Sequence, residues 1–251
     1  MSQSTFEHEV FPNAPIVEAL LNIEIAQVDK SKMADLQRFG DQISDRFPKK
    51  QDRKKFEGGV SFDFERSQQK VDTTIENYGY AFLSEAEKVV VQARIDGFSF
   101  SKLQPYDHWE TLEADAKKLW ALYSDFVEPL LIERLALRYI NRIDIPRDAD
   151  NFEDYFYTFP RIAPGIPQLL SNFFNQIVVP NPEIDSTAII TMTMEKPTEK
   201  VIPVILDIDV QRQVQIEGAS PEVWEMFSVL RDFKNQIFFC SITDLTRELF
   251  R

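Results

Sequence analysis

The sequence predicts an α+β fold: a largely antiparallel sheet with long amphipathic helices on one face, in an arrangement that admits two similar halves. Three observations lead there. Several segments alternate apolar and polar residues with a period of two, as a strand with one buried face requires. Two long segments instead space their apolar residues by three and four, the period of a helix with one buried stripe. The order of these segments is not a regular alternation of strand and helix, which argues against a parallel doubly wound sheet.

Taken in order, the chain begins with residues 1–14 as a polar tail. It ends in the stiff entry Phe11-Pro12-Asn13-Ala14-Pro15, where each proline fixes its own φ and biases its predecessor toward extended geometry. Residues 16–26 read as a strand, with Val17, Ala19, Leu21, Ile23 and Ile25 on one side and Glu18, Asn22 and Glu24 on the other. Residues 32–47 read as a helix on Met33, Leu36, Phe39, Ile43 and Phe47, stopped by Pro48. Residues 49–55 are basic and turn-like, and strands follow at 59–64, 71–82, 88–95 and 98–103, with a hairpin signal at Asp96-Gly97. The clearest helix covers 108–127 on Trp109, Leu112, Ala116, Leu119, Tyr123 and Phe126, with Asp107 and Glu110 at capping-box spacing.

Residues 15–130 make up a first α+β half, and 131–251 a second that packs with it as one unit. Its strand at 135–145 turns Leu137, Tyr139, Asn141 and Ile143 one way and Arg138, Arg142 and Asp144 the other. Short helices are expected near 152–157 and 168–176, and a strand pair at 187–196 and 202–212. Ser220-Pro221 opens a last helix whose inner face runs through Val223, Phe227, Leu230, Lys234 and Ile237.

Composition narrows the function classes. A net charge of −13 over 251 residues is repelled by phosphate backbones and anionic membranes, which disfavours nucleic acid and membrane as partners. With a single cysteine, Cys240, no disulfide forms within the chain, and its apolar neighbours predict a buried thiol. No segment reads as a signal peptide or membrane helix, so the expected location is cytoplasmic. Two histidines, His8 and His108, leave little for triad chemistry or histidine zinc ligation, and no phosphate-loop or dinucleotide motif occurs among only seven glycines.

Four places carry chemistry worth testing. Arg138 and Arg142 share one side of a strand, about 13 Å apart by strand rise. They either grip a carboxylate or phosphate with Glu18 and Asn141 nearby, or form a cross-strand charge ladder with Glu18, Glu24 or Asp207. Asp207 and Asp209 share a strand side and either bind a divalent metal, with Glu18 or Asp144 as a third ligand, or serve as an acid/base pair, or belong to a solvated face paired with arginines. The basic run from Arg46 to Lys55 is either a contact for nucleic acid or another acidic partner, or a solvated loop. The aromatic run Phe156, Tyr157, Phe159, Phe173 and Phe174 either lines a pocket or interface or packs beneath a long connection.

An ordered set of motifs spans nearly the whole chain. It comprises Pro15-Ile16-Val17-Glu18-Ala19, Gly97-Phe98-Ser99-Phe100-Ser101 before Tyr106 and Trp109, Arg138-Tyr139-Ile140-Asn141-Arg142-Ile143, Leu206-Asp207-Ile208-Asp209 and Ile242-Thr243. This set resembles a sporadically distributed family of prokaryotic proteins of about 250 residues that carries no assigned activity. The distribution implies an accessory or defence-associated gene product, and the resemblance brings no catalytic residue with it. The leading expectation is a non-enzymatic binding or interaction protein presenting a charged sheet face, with a protein or a small anionic ligand as its partner. The alternative is a metal-dependent enzyme acting on a phosphorylated or nucleotide substrate.

Overall fold

A computed structural model describes residues 9–63, 68–149, 151–168, 170–218 and 220–251, with only the backbone course described for 56–63 and 68–75. Among the described residues, nine strands form one antiparallel sheet. In chain order they are β1 (Ile16–Ile25), β2 (Lys49–Asp63), β3 (Gln68–Ser84), β4 (Val89–Arg94), β5 (Gly97–Leu103), β6 (Leu131–Pro146), β7 (Phe174–Asn181), β8 (Ser186–Met194) and β9 (Val201–Glu217). Their spatial order is β2-β3-β4-β5-β1-β6-β9-β8-β7. The helices are α1 (Met33–Gln42), α2 (Trp109–Val127), α3 (Glu222–Ser241) and the short α4 (Asp244–Glu248). No helix among the described residues is long and apolar enough to cross a membrane.

Directly paired residues share a sheet face, so register shows where the core lies. One row runs Phe82–Val91–Phe100–Leu21–Leu137–Val210–Ala188 across seven strands. Every member is buried, which makes this the core face. Helices cover it. Phe39 of α1 meets Phe82 edge-on at 5.8 Å, Trp120 and Tyr123 of α2 meet Phe98 at 5.7 and 5.5 Å, and α3 lies over β6 and β9. A close approach at Gly40 lets α1 settle, because a Cβ there would stand 2.3 Å from the Phe82 ring. One residue along each strand, the row Val90–Ser101–Leu20–Arg138–Asp209–Ile189–Val178 lies on the opposite side. This is the half-polar face that an antiparallel sheet can leave to water.

Several local expectations are corrected. The basic stretch at 49–55 is not a turn but the start of β2, the outer strand. Lysines on an exposed sheet edge discourage pairing with another chain, so basic composition is compatible with a strand there. The helix expected near 168–176 does not form; β7 begins at Phe174 and occupies the other sheet edge. The helix expected at 32–47 is α1 alone, preceded by a 3-10 turn at Lys30–Lys32; turns follow, with Ile43 and Phe47 still buried. Asp107 does not cap α2; His108 stands at its N-cap without a side-chain bond. Cys240 is exposed rather than buried, because it falls off the inner stripe of α3 that runs through Phe227, Leu230, Lys234 and Ile237.

Of the expected tail, residues 1–8, including His8, lie outside the described residues, as does residue 64 of the strand expected at 59–64. From residue 9 the chain is a packed strap. Phe11 is buried against Phe239 and Phe250, Asn13 N–H donates to the Phe250 carbonyl at 3.1 Å, and Arg251 pairs with Glu9 at 2.8 Å.

Candidate functional site

β1, β6 and β9 are neighbours, so Glu18, Arg138, Arg142, Asp207 and Asp209 do share the uncovered face. Their charges are largely spent on one another. Arg138 donates to both oxygens of Asp207, Nε to Oδ1 at 2.9 Å and Nη2 to Oδ2 at 2.5 Å. Arg142 donates to Asp144 at 3.0 Å and lies 3.5 Å from Glu195. The two arginines therefore do not converge on a common point. Glu24 is held by Arg134, whose guanidinium also donates to Gln211 at 2.6 Å, and this arginine keeps the Glu24 carboxyl below the ordinary range. The arrangement is the cross-strand charge ladder.

Asp209 is the exception on this face. Its Oδ1 is buried and receives no hydrogen bond. Burial pushes its carboxyl up in pKa, against the pull of Arg134 and Arg138. Both oxygens of Asp207 are occupied, and among the described residues no three carboxylate, histidine or cysteine side chains gather as a metal site. Asn141 parts company with the rest of the predicted ligand set. It faces the core, where its Nδ2 donates to the Leu206 carbonyl at 3.0 Å.

The other two candidates resolve into packing and surface pairing. In the basic run, Arg46 bridges Glu87 and Asp115, Lys49 pairs with Glu85, and Lys50 sits 3.9 Å from the centre of the Tyr80 ring. The aromatic run splits. Phe156 and Phe173 are buried, and Phe159 stacks on Phe152 at 4.7 Å, while Tyr157 and Phe174 are exposed.

On the helix-covered side lies a half-open cavity of about 700 Å³, walled by the strap at 9–16, the segment leading into α2, the middle of β6 and α3. Its charged lining is mixed: Arg231 and Lys234 of α3 face it with Glu9, Asp107 and Glu110, beside Tyr106, Tyr139 and Asn141. The tyrosine hydroxyls bond each other at 2.8 Å, and their rings meet edge-on at 5.5 Å. Lys234 Nζ stands 3.8 Å from the centre of the Tyr139 ring and donates to the neutral side chain of Asn235. Arg231 lies over the Trp109 ring at 5.7 Å and forms a salt bridge of 3.7 Å with Glu110 on the exposed rim.

Burial dominates the electrostatics at Lys234, which has no salt-bridge partner among the described residues. Lys234 is 8% exposed, and desolvation, reinforced by Arg231 and opposed by Asp232, brings its amine down to about 7. Burial pushes the Tyr106 hydroxyl up to about 12 and Tyr139 well above its ordinary value. The site thus holds a fixed cation, an amine poised between charged and neutral, and two neutral hydroxyls inside an apolar frame of Phe11, Trp109 and Phe238, with Glu9, Asp107 and Glu110 also on its lining. Such a frame with a few polar groups is the usual make-up of a small-molecule site. Lys234 was visible in the sequence as a charge within an apolar helical stripe; Arg231, Tyr106 and Tyr139 carry no local signal that joins them. The chain matches no family model, no curated protein and no solved structure.

Proposed function

We propose that the protein is a non-enzymatic binding protein for a small organic anion, taken into the cavity between the strap, α2, β6 and α3. One observation carries the reading: two cationic side chains of one helix, Arg231 and Lys234, line the same cavity, Arg231 held only by a 3.7 Å contact to Glu110 on the exposed rim and Lys234 buried with no salt-bridge partner among the described residues. A buried charge left in that state has a large unpaid desolvation cost, and an incoming carboxylate or phosphate offsets it. The charged sheet face is a weaker candidate for the same role, since its arginines already hold carboxylates. The alternative, a metal-dependent enzyme built on Asp207 and Asp209, draws little support from an Asp207 fully engaged by Arg138. An accessory role in a prokaryotic cytoplasm, and a descent from two similar halves meeting at the β1–β6 pair, belong to the same proposal.

The test is a thermal melt with lactate or inorganic phosphate against chloride at matched ionic strength. A ligand at ten times its Kd stabilises the native state by about 1.4 kcal/mol. The midpoint should rise in the wild type and stay put in Arg231→Gln. No rise with either anion, or an equal rise in the variant, overturns the proposal.

A further inference from the structure

We infer that Lys234 is a nucleophilic amine that condenses with the carbonyl carbon of a small 2-oxo acid whose carboxylate Arg231 holds. This deepens the cavity reading and rests on it. The geometry assigns the two roles. Arg231 and Lys234 stand three residues apart on α3, which puts them on adjacent turns of one helix face, and both line the cavity. A planar guanidinium suits a carboxylate through paired hydrogen bonds, whereas a lysine amine is compact and sheds its proton when buried. Desolvation and a neighbouring cation are the two means by which proteins activate a lysine as nucleophile, and Arg231 supplies the second. Lys234 donates to the uncharged side chain of Asn235 and, among the described residues, makes no salt bridge; Asp232 acts on its amine only at longer range.

The chemistry balances without further reagents. The neutral amine donates its lone pair to the carbonyl carbon and a C–N bond forms. The carbonyl oxygen takes up a proton, and the resulting carbinolamine loses that oxygen as water to leave a C=N bond. Nothing is oxidised or reduced. The hydroxyl pair Tyr106–Tyr139, with Tyr139 directly beneath Nζ, offers a proton donor and acceptor at the place where water must be formed. Charged and titratable groups facing the amine are Arg231 and Asp232 on α3, Tyr139 on β6 and Tyr106 ahead of α2, with Glu9, Asp107, His108 and Glu110 on the rim. With its amine near 7, about half of Lys234 is neutral at pH 7, against roughly one in a few thousand for an ordinary lysine.

The test incubates the whole protein with pyruvate at pH 7, reduces with cyanoborohydride, and maps the product by intact and peptide mass spectrometry. The expected result is one adduct, of pyruvate less one water plus two hydrogens, on Lys234, and none in Lys234→Arg. Peptide mapping of the wild type decides the matter even if that variant fails to fold. Lactate carries the carboxylate without the carbonyl and separates the two claims. If lactate stabilises the protein but pyruvate leaves no adduct on Lys234, or labels the surface lysines equally, the imine is wrong and the cavity reading stands. If neither stabilises nor labels, both fall.

Discussion

Replacing Lys234 with Met should make the protein more stable at pH 6, and less so by comparison as the pH rises. The side chain is 8% exposed, its stem packs in the inner stripe of α3, and Met keeps most of that volume without the amine. The amine titrates near 10.5 when unfolded and about 7 when folded, a gap of about 3.5 units. At about 1.4 kcal/mol per unit the folded state bears on the order of 5 kcal/mol for charging this group. Below pH 7 both states are protonated and that penalty is constant. Between 7 and 10.5 the unfolded state binds more protons, so stability rises with pH. Removing the amine also removes the cation–π contact with Tyr139, about 1–2 kcal/mol. The net gain at pH 6 is therefore about 3 kcal/mol, or about 6–12 °C in midpoint for a chain of this size. The assay is calorimetry of wild type and variant from pH 6 to 9.5, below the range where Tyr106 and Tyr139, with folded values pushed up, reverse the trend. A variant that is less stable at pH 6, or a difference that does not change with pH, refutes the reasoning.

Two further outcomes follow from the packing and the charge ladder. Gly40→Ala should lower stability by about 1–3 kcal/mol, because the new methyl meets the Phe82 ring at 2.3 Å and the ring is held between α1 and the sheet; a chemical denaturation midpoint equal to wild type contradicts that fit. Arg138→Ala should cost about 1–2 kcal/mol, discounted because the arginine is 43% exposed while the Asp207 side chain beneath it is only 15% exposed. A double-mutant cycle with Asp207→Ala should return a coupling of about 1 kcal/mol, and zero coupling would show the pair to be incidental.

Much of the fold was legible in local pattern. Period-two alternation in β1, β6 and β9 sorted Leu21, Leu137 and Leu206 from Glu18, Arg138 and Asp207, and the register bears that out. The stripes of α2 and α3 were equally plain, because each buries a continuous apolar face. What escaped depended on position in the sheet rather than on composition. Lys49 to Lys55 read as a turn because edge strands borrow the charges of loops, and Phe174 began a strand where prolines and aromatics suggested a short helix. The face bearing Glu18, Arg138 and Asp207 was found, but whether opposite charges on it would bind something else or each other depends on pairing across strands. The cavity was hidden for a different reason. Phe11, Tyr106, Tyr139 and Arg231 come from four distant segments that only the strap and the α2–α3 packing bring together.

The account stands on one buried amine in an anion-binding cavity, and NMR of lysines labelled at Cε tests it directly across a pH titration. One resonance, absent from Lys234→Met, should titrate near 7 and move to higher pH when lactate is added, since a bound anion favours the charged amine. If every lysine titrates near its ordinary value of about 10.4, or the low one ignores the anion, the cavity is not the site proposed for it.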